Sequence, residues 1–121
     1  SIKSENTKWN SITAKRLTQI VANGSTPLAE VYNKMFQTLK SKRPDIFLTL
    51  TDGEPSDPNA VRNMVKLLKG LGISMASLGL GSNTIRAITI ANNLKHLGYE
   101  KTMAVSRLND IPNKVIRILN V

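Results

Sequence analysis

An aspartate that directly follows an apolar, β-rich run is the residue of this sequence best placed to do chemistry. The run is Ile-Phe-Leu-Thr-Leu-Thr at residues 46–51, and Asp52 and Gly53 end it. It is too short for a core helix, and its apolar or threonine-lined faces are typical of a strand buried inside a parallel sheet. Ligands of open α/β sheets bind at the carboxyl ends of the strands, so Asp52 is a candidate binding residue.

Two hydroxyl side chains, Ser25 and Thr26, form the second candidate cluster. They precede a helix predicted over residues 27–40, where we expect one of them to cap the helix and Pro27 to lie in its first turn. The connection from this helix to the strand is short, so the helix should begin over the carboxyl end of the strand. A hydroxyl and a carboxylate there suit a hard cation such as Mg²⁺, although capping and turn formation explain the same residues without a ligand.

The remaining elements follow from hydrophobic periodicity. Apolar spacing predicts a helix over residues 7–22, a second buried strand over 73–80 and a short strand over 102–105. A loop and start signal at residues 56–58, followed by an apolar stripe from Val61, predicts a helix closed by Gly70 and Gly72. A helix over 84–97 stopped by Gly98 and a last helix capped by Asn109 or Asp110 are also predicted. The predicted fold is α/β: a three-layer, Rossmann-like sheet of three parallel strands with helices on both faces.

The composition describes one ordinary globular domain with an unusual charge. The chain has 121 residues, 40% of them hydrophobic, and its formal net charge is +9. The charge favours anionic partners, either an acidic protein surface or nucleic acid. No apolar stretch approaches the roughly 20 residues of a membrane span, so no membrane is expected. The sequence has no cysteine and no apolar signal-peptide core at residues 1–6, which favours a cytoplasmic location.

Several short motifs together resemble the von Willebrand factor A (VWA) domain. The run Gly-Ser-Thr-Pro-Leu at residues 24–28, followed by an apolar strand and Thr-Asp-Gly-Glu-Pro at 51–55, is similar to the second and third parts of the metal-ion-dependent adhesion site of that family. Leu-Gly-Ile at 71–73, Leu-Gly-Leu-Gly at 78–81 and Leu-Asn-Asp-Ile-Pro at 108–112 also match. The motifs are similar to those of intracellular bacterial members of the family, such as the cobalt chelatase subunit and the nitric oxide reductase accessory protein.

The resemblance implies a binding module with no enzymatic activity. It implies that Thr26 and Asp52 are metal ligands, that Mg²⁺ is the cofactor, and that a carboxylate of a partner protein completes the coordination. The bacterial members imply an AAA+ ATPase as the partner. Ser25 and Glu54 are adjacent to the matched positions but are not main ligands in the family.

The sequence departs from the family at one essential motif. The D-x-S-x-S run of the first family strand is missing, so the chain resembles an incomplete VWA fold, the carboxyl-terminal two-thirds that lacks the first strands. One hydroxyl and one carboxylate should hold Mg²⁺ weakly. The strand at residues 46–51 would also become an exposed apolar edge, which we expect another chain, a second copy or the amino-terminal helix to cover.

Alternative interpretations rest on other residues. A basic, nucleic-acid-associated α/β module is the main alternative function. Gly79 and Gly81 could cradle a phosphate, but a glycine turn with Asn83 or Thr84 as helix cap explains them as well. His96 lies near a predicted helix end and is expected to be solvated. Asp52 and Glu54 could act as an acid and base pair in an enzyme, but no nucleophile accompanies them.

Overall fold

The computed structural model describes residues 17–22, 27–53 and 55–120. Four strands and four helices alternate along these residues, with one short 3₁₀ turn before the last helix. They are β1 (Leu17–Ala22), α1 (Leu28–Ser41), β2 (Ile46–Thr51), α2 (Pro58–Gly70), β3 (Ser74–Leu80), α3 (Thr84–Lys95), β4 (Lys101–Val105), the 3₁₀ turn (Leu108–Asp110) and α4 (Ile111–Asn120).

The four strands form one parallel sheet in the order β1-β2-β3-β4. The α/β class, the parallel sheet and the Rossmann-like layering agree with the sequence prediction, but the described residues contain four strands where three were predicted. Each strand follows its neighbour in sequence order. Because parallel crossovers are right-handed, such an order places all three connecting helices on the same face of the sheet.

Side chains alternate between two cores, one on each face. On the face of the connecting helices, Phe47 and Met75 pack against buried residues of α1, α2 and α3. On the opposite face, Leu48 and Leu78 pack against Ile118 of α4. The period of two along each strand and the amphipathic stripes of the helices produce these two cores, which make the domain three layers thick.

The strand β1 corrects the prediction of a helix over residues 7–22. Residues 17–22 form the outer strand of the described sheet, and residues 7–16 lie outside the described part of the chain. The spacing of Leu17, Ile20 and Val21 suits one turn of helix, but the segment is rich in β-branched residues and uncharged. Backbone pairing with β2 along its full length selects the strand conformation.

This pairing also answers how the strand at residues 46–51 is covered. β2 lies between β1 and β3, so it is an interior strand and its side chains are all buried. The cover is an amino-terminal segment of the same chain, as one of the three alternatives held, although the segment is a strand rather than a helix. The edge strands of the described sheet are therefore β1 and β4.

Helix ends follow local rules with two exceptions. The Asp57 side chain accepts a hydrogen bond from the Ala60 N–H (3.2 Å) at the start of α2, and Gly72, with a φ of 88°, follows its end. In contrast, the residue in the cap position of α1 is Pro27, which makes no side-chain cap. Ser25 and Thr26 lie outside the described residues, so the predicted cap by one of them stays a prediction. At the last helix, Asn109 and Asp110 lie in the 3₁₀ turn rather than acting as simple caps.

Candidate functional site

Asp52 lies at the carboxyl edge of the sheet, as the sequence predicted. It directly follows β2, and its side chain is exposed to solvent, whereas Thr51 and Gly53 on either side of it are buried. No hydrogen bond or ion pair of Asp52 with another described residue is present. An exposed carboxylate at this edge is accessible to a cation or to a basic group of a ligand.

A hydroxyl turn after β2 sets the direction of Asp52. The Thr51 hydroxyl donates a hydrogen bond to the Gly53 carbonyl oxygen (3.0 Å) and accepts one from the Gly53 N–H (3.3 Å). This turn holds Thr51 and Gly53 inward, so the residue between them faces solvent. The threonine at the end of the strand thus has a local structural role that sequence reasoning did not assign.

The position of Thr26 relative to Asp52 stays a prediction, because residues 23–26, including Ser25 and Thr26, lie outside the described residues. The structure does bound the connection at both ends. Ala22 is the register partner of Thr51, and α1 begins at Leu28 after Pro27. Five residues, 23–27, therefore connect the carboxyl end of β1 to the start of α1, beside the residue that precedes Asp52.

The described residues do not by themselves fit a magnesium ion. Within residues 17–22, 27–53 and 55–120, no three histidine or acidic side chains are grouped closely enough to hold a metal. Asp52 offers one carboxylate, and the neighbouring Thr51 hydroxyl is committed to Gly53. Magnesium requires near-octahedral oxygen coordination and releases its waters reluctantly, so a single exposed carboxylate is a poor site. Any cation site here needs ligands from beyond the described residues.

The Gly79 and Gly81 segment is explained by close packing of a helix on a strand. A Cβ atom added to Gly79 would lie 2.7 Å from the Ala91 backbone nitrogen, and one added to Gly81 would clash with the Ala87 backbone nitrogen. The Asn83 side chain caps α3 by accepting a hydrogen bond from the Arg86 N–H (2.8 Å). The cap by Asn83 agrees with the interpretation of this segment as a turn that leads into a helix. The two glycines, however, are required because the strand lies close to α3, and not because the backbone adopts a left-handed turn.

The structure gives no evidence of a catalytic or binding role for the other two candidates, His96 and Glu54. His96 is exposed at the C-cap of α3, where its backbone carbonyl oxygen accepts a hydrogen bond from Arg62 (3.3 Å). This location agrees with the prediction of a solvated histidine at a helix end. Glu54 lies outside the described residues, so its pairing with Asp52 is untested.

A buried group of hydroxyls, the hydroxyl cluster of Tyr32, Thr49 and Tyr99, was missed by sequence reasoning. The Tyr32 hydroxyl bonds to the Thr49 hydroxyl (2.6 Å) and to the Tyr99 hydroxyl. Burial raises the pKa of Tyr32 well above its ordinary value and raises the pKa of Tyr99 to about 12. Because all three side chains are buried, the cluster stabilises the core and is not accessible to a ligand.

No signal in the sequence could have joined these residues. Tyr32 was one position of an apolar helix stripe and Thr49 one residue of a threonine-lined strand. Tyr99 is 67 residues from Tyr32 in the chain, and only the crossover of β3, α3 and β4 brings it to α1.

Comparisons with known proteins add no family assignment. No family model matches the sequence, and neither the curated proteins nor the solved structures gave a match. The class of protein is therefore defined by the fold alone: an α/β domain with a parallel four-stranded sheet. None of its described helices has the length and apolar character needed to cross a membrane.

Proposed function

We propose that this chain is a protein-interaction module of the VWA type with a partial metal-ion-dependent adhesion site. The observation that supports it is the exposed Asp52 at the carboxyl end of β2, one residue beyond the pair formed by Thr51 and Ala22. In this proposal Thr26 and Asp52 contribute a hydroxyl and a carboxylate to a Mg²⁺ site. The chain acts in the cytoplasm and has no catalytic activity of its own.

The partner in this proposal presents an acidic residue, and an AAA+ ATPase is the proposed class. A net charge of +9 supports an encounter with an acidic surface because opposite charges accelerate association. Since the described residues are too few to hold Mg²⁺, the remaining ligands come from a segment or chain that carries the missing D-x-S-x-S function. The chain alone therefore binds Mg²⁺ weakly, with a dissociation constant of about 1 mM or higher, in the range of the weakest protein cation sites.

Paramagnetic broadening tests this proposal even when binding is weak. Mn²⁺ is titrated into the isotopically labelled chain, and amide signals are followed by NMR. We expect early, selective loss of the signals of Gly53 and of residues 24–28, and we expect Asp52→Asn to abolish it. Asp57→Asn is the matched control, because Asp57 is also an exposed aspartate near this edge and asparagine preserves its helix cap. Broadening elsewhere, or unchanged broadening in Asp52→Asn, contradicts the proposal.

The high positive charge also supports a second candidate, a nucleic-acid-associated module. Phosphate contacts release counterions, so the affinity for an oligonucleotide would fall steeply as salt increases. Binding that depends steeply on salt and is unaffected by a chelator or by Asp52→Asn supports this candidate. Binding of a protein partner that is lost with a chelator supports the adhesion-type site.

A further inference from the structure

A groove between α1 and α2 carries apolar side chains on its floor and lysines on its rim. Its volume is about 660 Å³, and it is lined by Phe36, Lys40, Asn63, Lys66, Leu67, Gly70 and Leu71. Most of these residues lie in the carboxyl-terminal halves of the two helices; Asn63 lies near the middle of α2, and Leu71 just after its end. Because both helices run antiparallel to the strands, the groove lies at the end of the domain opposite Asp52.

The apolar floor of the groove is partly exposed to solvent. Leu67 retains 54% of its surface, although Val65 and Leu68 on the same helix are fully buried against the sheet. Phe36 and Leu71 are half-buried beside it. A leucine of this exposure flanked by two further apolar side chains in a concave surface is typical of a docking site for an apolar anchor.

The charge of the rim selects the chemistry of the occupant. Lys40 and Lys66 line the groove, and none of the described lining residues is acidic. At one end, Arg43 donates hydrogen bonds to the carbonyl oxygens of Lys40 and Leu71, both at 3.3 Å, which holds its guanidinium beside the groove. Three cations around an apolar floor are complementary to a segment that combines carboxylates with apolar side chains.

We propose that the groove between α1 and α2 binds an acidic amphipathic helix of a partner protein, with an apolar side chain of that helix packed on Phe36, Leu67 and Leu71. The two helices form a trough into which a third helix can pack, the helix-in-groove mode of recognition. A second copy of this chain is disfavoured because both copies carry the +9 charge. A nucleic acid is disfavoured because the floor offers one aromatic ring where strand binding uses several.

This inference goes beyond the proposed adhesion-type site, because the groove and Asp52 are at opposite ends of the domain. Neither a cation nor Asp52 takes part in it. Asp52→Asn should therefore leave binding at the groove unchanged. The proposal for the groove and the proposal for the adhesion-type site can be tested independently of each other.

A displayed library of random peptides of about 16 residues, roughly four helical turns, provides the probe. The library is selected against the intact chain. We expect enriched peptides to carry a net negative charge and apolar residues at helical spacing, and to perturb the amide signals of residues 36–43 and 63–71. A selection without binders, enriched peptides that are neutral or basic, or perturbations elsewhere overturn the proposal, as does displacement of the peptides by a single-stranded oligonucleotide.

Matched variants separate the groove from general surface effects. Leu67→Asp and Lys66→Glu should each weaken an enriched peptide about tenfold or more, as expected for central contacts of an interface. The controls are Ile88→Asp, whose side chain on α3 is 47% exposed, and Arg86→Glu, also on α3 and outside the groove. Equal effects of control and groove variants overturn the proposal.

Gly70→Gln tests the shape of the groove without removing a contact. A Cβ atom at Gly70 meets no atom within 4 Å, so the larger side chain extends into open space and the fold is preserved. We expect it to reduce peptide binding by obstruction while circular dichroism and the unfolding midpoint stay unchanged. Undiminished peptide binding by Gly70→Gln would contradict the assignment of the groove.

Discussion

Ala22 and Thr51 are register partners at the carboxyl ends of β1 and β2, so the chain leaves both strands at the same level of the sheet. After Thr51 it continues into Asp52, and after Ala22 it reaches Pro27 within five positions. This relationship is the structural basis for expecting Thr26 and Asp52 to share one pocket.

The absence of native cysteine makes this expectation directly measurable. In the double variant with Thr26→Cys and Asp52→Cys, we expect a short bifunctional thiol reagent to cross-link the two positions rapidly within one chain. The control pair is Thr26→Cys with Lys40→Cys, since Lys40 lies at the far end of α1. Mass spectrometry of the cross-linked peptides gives the result. Similar rates for the two pairs would refute the shared pocket.

Removal of the central hydroxyl of the hydroxyl cluster should destabilise the fold. Tyr32→Phe leaves the hydroxyls of Thr49 and Tyr99 without their common partner in a buried position. An unsatisfied buried polar group costs about 1–3 kcal/mol, and we expect a loss of this size in the free energy of unfolding measured in urea. The double variant with Tyr99→Phe should cost less than the sum of the single variants, because it removes two members of one network. Strict additivity would argue against the network.

Alkaline pH should unfold the protein through the same tyrosines. Burial raises the pKa of Tyr99 to about 12, above its value in the unfolded chain, and also raises the pKa of Tyr32 well above its ordinary value. The neutral phenols are favoured by folding, so their contribution to stability is complete below about pH 10 and is lost as the pH rises towards 12.

Both tyrosines of the sequence belong to this cluster, so tyrosinate absorbance reports on it alone. We expect little tyrosinate signal at pH 10 in the folded protein, followed by a rise that coincides with the loss of circular dichroism. Half-ionisation near pH 10 with the fold intact would show that the phenols are accessible to solvent.

Gly81 and Gly70 should respond in opposite ways to the same substitution. Gly81→Ala forces a Cβ atom against the backbone of α3, which cannot move away as a flexible side chain can, and should cost about 2–3 kcal/mol of stability. Gly70→Ala adds a methyl group in open space and restricts the unfolded chain, so it should be neutral or stabilise by up to about 1 kcal/mol. The measurement is thermal unfolding of the two variants. If Gly81→Ala is as stable as Gly70→Ala, the residue at position 81 is not closely packed against α3.

Most of the fold was accessible from local patterns. The strand at residues 46–51 is bounded by Asp45 and by Asp52-Gly53, and its bounds were predicted to the residue. The helices over 28–41, 58–70 and 84–95 were predicted within two residues at each end, because each combines an apolar stripe with a start or stop signal such as Pro58 or Gly98.

The sequence predictions were wrong or incomplete where the local sequence has only a weak preference for one structure. The segment 17–22 could form helix or strand by its own sequence, and a distant strand selected one of them. Tyr32 lies on the apolar stripe of the helix predicted over residues 27–40, a position that favours burial, but its hydroxyl partners could not be inferred. Leu67 lies outside the apolar stripe of α2, and only the arrangement of two neighbouring helices makes it the floor of a groove.

The sequence by itself determined the α/β class, the strand that ends in Asp52 and the charge of +9, because periodicity, turn residues and composition act over short distances along the chain. The tertiary structure decided that β1 covers β2, that three hydroxyls from distant segments meet in the core, and that a basic, apolar groove lies between α1 and α2. These features depend on contacts between residues far apart in sequence, where no local pattern carries the information.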